Sequence, residues 1–124
     1  VTEGIYEINN PDENSPVLVT TNFALTYFIV SGEIESSRVP SWLLIKDSEG
    51  LSVMTAWAAG KFAGDDVGAF VKKSGIIDKV KHQELIIPGY AAAIAGAVEE
   101  ELPDWKITVG PREAPHLPAF LKAR

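Results

Sequence analysis

No cysteine occurs among the 124 residues. That absence excludes disulfides, thiolate nucleophiles, Cys-ligated zinc and any iron–sulfur cluster held by this chain. Cations are scarce as well: 11 Lys+Arg stand against 17 Asp+Glu, a formal net charge of −6. Nucleic-acid affinity rests on clustered Lys and Arg, so no nucleic-acid partner is expected. Long apolar runs are missing too. The longest, Tyr90 to Val98 with Gly96 included, is about half of the ~20 residues a membrane span needs. No basic segment precedes an apolar one in the manner of a signal peptide, and no membrane association is expected.

The usual chemical signatures are also lacking. There is no G-x-G-x-x-G, no G-x-x-x-x-G-K-[ST] and no G-x-S-x-G. His82 and His116 have no His or Cys partner at metal spacing, so no metal site built from this chain is expected. Glu99-Glu100-Glu101 falls at a helix end, against the dipole preference, and reads as a solvated face. What is present is a foldable composition, 46% apolar and 23% charged, at a length typical of one domain. A chain of this size buries roughly 65–70% of its unfolded surface, enough for a core without staples. Its chemistry must come from hydroxyls, carboxylates, backbone amides or a borrowed cofactor.

The chain opens on Val1 with the polar, turn-rich VTEGIYEINNPDENSP. This segment reads as the start of an excised piece: residues 1–15 as a linker, or a residual strand from a preceding domain, and residues 16–124 as the domain proper. Within that domain Val17–Val19, Trp42–Ile45, Leu85–Ile87 and Trp105–Val109 are strand candidates. The first three are nearly continuous apolar runs, as expected for parallel strands covered on both faces. Helical patterns follow each of them, at about Phe23–Ser31, Leu51–Phe62, Tyr90–Glu101 and Leu117–Lys122. A further helix is expected over Val67–Lys73, capped by Asp65 or Asp66 and ended by Gly75. Strands alternating with helices imply right-handed crossovers. The expected fold is α/β, a Rossmann-like open parallel sheet with helices on both faces.

In such sheets ligands sit beyond the carboxyl ends of the strands, so function is sought in the strand-to-helix junctions. The first is Thr20-Thr21-Asn22, which suits either an N-cap or an anion at a helix start, with Thr26 on the same helical face. Alternatively Thr26 is a threonine bonded back to its own helix. The second, Asp47 to Ser52, offers small and hydroxyl residues backed by Val53-Met54-Thr55-Ala56-Trp57: either a wall for a large, mostly apolar ligand or an ordinary turn with Trp57 in the core. The third is Pro88-Gly89-Tyr90, followed by Ala91–Ala93, small enough for close helix packing or for a bulky tail. The fourth is Gly110 to Ala114. Junctions without an evident acid–base pair favour a binder or carrier over a stand-alone catalyst.

The segments NSPVLVTTNFALTYF, EIESSRVPSWLLIKDSEGLSVMTAWAAGKF, HQELIIPGYAA and WKITVGPREAPHLPAFLK closely resemble one family. It is the C-terminal, cobamide-binding domain of the large (gamma) subunit of the corrinoid iron–sulfur protein. That protein serves the carbon monoxide dehydrogenase/acetyl-CoA synthase system, and the resemblance runs from Asn14 to Lys122. It implies a cytoplasmic methyl carrier. Its cobalt, when doubly reduced, accepts a methyl group from methyl-tetrahydrofolate or a pterin analogue on a methyltransferase and delivers it to acetyl-CoA synthase. It implies a small partner subunit whose barrel closes over the cobamide, a reductive activator, and a [4Fe-4S] cluster that lies outside this chain. Carried over by position, the cobamide contacts are Thr20, Thr26, Gly50, Leu51, Ser52, Val53 and Ala114, with Gly89 and Tyr90 toward the tail. Thr55 falls near the lower face of the cobalt.

Many other cobalamin domains place a histidine under the cobalt from a D-x-H-x-x-G loop. That motif is absent here, and the resemblance implies a base-off, His-off cobalt. Removal of a strong axial donor favours the Co(I) nucleophile. Two rival readings stand beside this one: a flavodoxin-like electron carrier with Thr20-Thr21-Asn22 on a flavin phosphate, and a scaffold domain that only docks partners.

Overall fold

The computed structural model of the chain describes residues 1–124. Five strands form one sheet: β1 (Gly4–Ile8), β2 (Val17–Thr21), β3 (Ser41–Lys46), β4 (Glu84–Ile87) and β5 (Lys106–Val109), in the spatial order β1-β3-β2-β4-β5. Strands β2 to β5 are mutually parallel, and β1 runs antiparallel to β3 along the edge. The helices are α1 (Ala24–Ser37), α2 (Val53–Ala58), α3 (Gly64–Ser74), α4 (Ala95–Glu101) and α5 (Leu117–Lys122).

The apolar strand runs are continuous because both faces are covered, and the period of two sorts each strand between two cores. Val17, Val19, Trp42, Leu44, Leu85 and Ile87 point to one side, where α2, α3 and α4 supply Ala56, Val67, Val71 and Val98. Leu18, Leu43, Ile45 and Ile86 point to the other, against Ile34 of α1 and Leu117 and Leu121 of α5. The α/β sandwich with helices on both faces is the architecture expected.

Several boundaries differ from expectation. The opening segment, read as a linker or a strand paired elsewhere, supplies β1, which pairs with β3 from Gly4↔Ile45 to Ile8↔Ser41. Helix α3 begins at Gly64 with Ala63 as its N-cap, so Asp65 and Asp66 lie in its first turn rather than at the cap. The first turn also packs closely on α4. A Cβ on Gly64 would meet Ala97 Cβ at 2.3 Å, and one on Gly68 would meet Glu101 Cβ at 2.3 Å, so these two glycines let α3 and α4 touch. Gly75 does end α3, at φ +86°. Helix α1 runs on to Ser37, where Arg38 stops it in the left-handed conformation at φ 61°. The expected helix over 90–101 is split into a tight 3₁₀ segment (Gly89–Ile94) and α4, with a kink at Ala91.

Candidate functional site

The strand order defines a switch point. The chain leaves β2 toward β3 on one side, then crosses back over β2 to reach β4 on the other. The loops following β2 and β4 therefore diverge, and a crevice must open between their carboxyl ends. A cleft of about 330 Å³ lies there, walled by residues of β2, α1, the start of α2, the segment after β4 and the loop after β5. Its walls are mainly apolar, Ile29, Val30, Met54 and Leu117 among them, and the hydroxyls of Thr20, Thr26 and Ser52 interrupt them.

The loop after β3 is held by a residue on another junction. Asn22 Oδ1 accepts the Ser48 N–H and the Gly50 N–H, each at 3.0 Å, and lies 3.0 Å from Ser48 Oγ. Asn22 Nδ2 donates to Asp47 Oδ1 at 3.1 Å, and Asp47 Oδ1 also accepts the Glu49 N–H at 2.8 Å. These partners fix the amide's orientation, since a flipped amide would face donors with its NH₂ and the carboxylate with its oxygen. Thus Asn22 does not cap α1, whose N-cap is Phe23. It staples the first junction to the second. Glu49 and Gly50 take positive φ, 60° and 75°, to complete the turn, and Ser52 and Val53 are delivered to the cleft wall.

The two later junctions are held together as closely. Gly89 N–H donates to the Pro111 carbonyl at 3.3 Å, and Gly110 N–H to the Ile87 carbonyl at 2.9 Å. A Cβ on Gly89 would lie 2.6 Å from Arg112 N and 2.7 Å from the Gly110 carbonyl oxygen. Only glycine allows this approach. Above it the Tyr90 hydroxyl donates to Glu113, and that hydrogen bond, with a little burial, holds the Tyr90 hydroxyl's pKa above its ordinary value.

Of the residues expected at the site, Thr20, Thr26, Ser52, Val53, Tyr90 and Ala114 line the cleft together. Gly50, Leu51, Thr55 and Gly89 do not line it. Gly50 and Leu51 shape the turn behind it, with the Leu51 carbonyl 2.8 Å from Ser48 Oγ, and Gly89 sets the loop contact just described. Thr55 is exposed and is joined to the wall through Ser52, whose Oγ donates to Thr55 Oγ1 at 3.1 Å. Thr26 is not bonded back to its helix, unlike Ser31, Ser37 and Ser74. Trp57 is 45% exposed rather than in the core. Residues the sequence reading passes over are Ile29 and Val30, which follow Thr26 at helical spacing (i+3, i+4) and so share its face, and Arg112, which stands two residues before Ala114.

The chain matches, over residues 1–121, the family described as CO dehydrogenase/acetyl-CoA synthase delta subunit. It belongs to that family. Among individual relatives, the chain is 50% identical over 123 residues to the corrinoid/iron-sulfur protein large subunit of Moorella thermoacetica, covering 99% of this chain and 27% of that protein. It is 47% identical over 122 residues to the acetyl-CoA decarbonylase/synthase complex subunit gamma of Methanopyrus kandleri, covering 98% of this chain and 26% of that one. The chain thus spans about a quarter of the length of these curated relatives. The family description names a delta subunit, whereas these two relatives are large or gamma subunits.

Within this family member, neither histidine reaches the cleft. His82 stands before β4, at the opposite end of the strands, with Nε2 2.7 Å from the Ser15 carbonyl and Nδ1 accepting the Glu84 N–H. No group of His, Asp and Glu side chains is placed to hold a metal ion, and no helix is long and apolar enough to cross a membrane. Three apolar or aromatic side chains of the cleft wall are exposed, Ile29, Met54 and Tyr90, and elsewhere on the first turns of α1 Leu25 and Phe28 are exposed at 58% and 66%.

Proposed function

We infer that this chain is the cobamide-binding, methyl-carrying domain of a corrinoid iron–sulfur protein. The observation that carries the reading is the cleft at the switch point, where the hydroxyls of Thr20, Thr26 and Ser52 interrupt apolar walls. The naming of a relative as a corrinoid/iron-sulfur protein supports it. Ligand pockets run from about 300 to 1,000 Å³, and this one is at the small end. A cleft of this size would hold only part of a corrinoid and would leave the rest to a second chain. The exposed apolar residues of its wall fit that second chain, which we take to be the small subunit.

In this reading Thr20, Thr26, Ser52 and Val53 hold the corrinoid, and Ala114 leaves room for its edge. When bound, the cobamide supplies the cobalt centre that takes up and releases a methyl group. The chain's own part is to bind, orient and exclude water. With both histidines outside the cleft, no imidazole is offered to the metal, in keeping with a base-off, His-off carrier. Thr55 lies outside the cleft lining and would act toward the metal only through Ser52, whose hydroxyl it accepts, without being a strong donor. The methyltransferase, acetyl-CoA synthase and a reductive activator are the partners in turn, in the cytoplasm, with the iron–sulfur cluster on another part of the protein.

An absorption spectrum with cobalt analysis, taken on protein purified and then offered cobamide, tests the reading. Corrinoid bands with cobalt near one equivalent are expected. A yellow, flavin-type spectrum would make the chain an electron carrier, and a colourless protein that takes up no cobamide would make it a docking domain.

A further inference from the structure

The protein carries a net charge of −6, yet the cleft has one charged residue in its lining, and that residue is a cation, Arg112. Its guanidinium makes no salt bridge within the chain, which is true also of Arg38, Lys46, Lys73, Lys79 and Lys122, but none of those five lines the cleft. The adjacent carboxylate, Glu113, is drawn away by the Tyr90 hydroxyl. The loop itself is pinned by the Gly89 and Gly110 N–H bonds and by an approach only glycine permits at position 89. An acidic protein thus sets an exposed arginine without a salt bridge, on a pinned loop, in the lining of an otherwise uncharged, mainly apolar cleft. Such a lining suits a bulky, mostly neutral ligand that bears a single anionic group.

We propose that Arg112 binds the phosphate of the cobamide's nucleotide tail, and that this contact selects phosphate-bearing corrinoids over those that lack it. The proposal rests on the corrinoid reading above. A planar guanidinium forks onto two phosphate oxygens, and charge-assisted bonds of this kind are stronger than neutral ones. Tyr90 and Gly89 act as positioning residues, holding the loop that carries it.

The test uses the purified protein with the subunits that accompany it, stripped of corrinoid and titrated separately with cobinamide phosphate and with cobinamide. The wild type is expected to bind cobinamide phosphate about tenfold or more tightly, a factor equivalent to about 1.4 kcal/mol. Arg112→Gln, at an exposed position, is expected to erase that ratio while leaving cobinamide affinity intact. Arg112→Lys should keep part of it, because the charge survives without the fork. The preference should also shrink as salt is raised. Equal binding of the two probes by the wild type, or equal loss of both in Arg112→Gln, overturns the proposal while the corrinoid reading stands. Binding of neither probe by the wild type overturns the corrinoid reading itself.

Discussion

Replacing Asn22 with Ala removes the one side chain that joins the first two junctions. Three groups lose their acceptor or come near losing it: the N–H of Ser48, the N–H of Gly50 and the Ser48 hydroxyl. The hydroxyl keeps the Leu51 carbonyl at 2.8 Å. Gly50 is exposed, as is Asp47, so water replaces the amide there at little cost. Ser48 is 1% exposed, and its N–H is left without an acceptor. A buried donor so stranded costs about 1–3 kcal/mol, and the expected loss of stability is therefore about 2 kcal/mol. For a domain of this size that is roughly 5–10 °C in Tm. Urea unfolding at neutral pH measures it directly, as a fall in midpoint with unchanged slope. Cobamide affinity should fall in the same variant, because Ser52 and Val53 hang from the released loop. Asn22→Asp provides the second arm. It keeps the acceptor oxygens but sets a carboxylate against Asp47, so part of the loss should return, and more of it at high salt. A midpoint change worth less than about 0.5 kcal/mol in Asn22→Ala, the size of an ordinary surface substitution, would refute the stapling role.

Thr26→Val and Ser52→Ala are each expected to weaken cobamide binding several-fold while leaving the unfolding midpoint in place, and unchanged affinity in both would remove these residues from the site. Thr21 Oγ1 is buried without a hydrogen-bond partner, so Thr21→Val should stabilise the fold by about 1 kcal/mol; a loss of stability would show that the hydroxyl is in use. Burial alone would raise the Glu84 carboxyl, but hydrogen bonds from Arg124 and Thr108 and the charges of Arg124 and Lys106 outweigh it and hold its pKa below the ordinary 4.5. Because the folded value is the lower one, this contribution is complete above about pH 4.5 and is lost as pH falls through the depressed value. Glu84→Gln should accordingly flatten the acid limb of a stability–pH curve, and an unaltered limb would show that other carboxylates govern it.

The layering of the fold was legible because burial on both faces writes itself as continuous apolar strands, Val17–Val19 and Trp42–Ile45 above all. Placement of the cleft followed from topology, since alternating strands and helices leave little choice of where junctions gather. Less was legible where a side chain's partner is distant in sequence. Asn22 reads locally as a cap, and nothing near it announces that its acceptors and donors serve residues 47 to 50. Gly64 and Gly68 look like breakers, yet they permit the contact of α3 with α4. Strand β1, five residues at a sheet edge with Glu7 among its apolar positions, is a weak signal beside the turn residues that follow it. Arg112 was hidden by its neighbours: in a loop of glycine, proline and glutamate, only the geometry shows which residues line the cleft.

The central claim is that this cleft holds a cobamide whose cobalt receives no nitrogen from the protein or the cofactor's base. The electron paramagnetic resonance spectrum of the protein loaded with the Co(II) form tests both parts at once. Cobalt hyperfine lines from stoichiometrically bound corrinoid, each without nitrogen superhyperfine splitting, are the predicted result. Lines split by an axial nitrogen would contradict the His-off, base-off account, and a spectrum of unbound corrinoid would contradict the site.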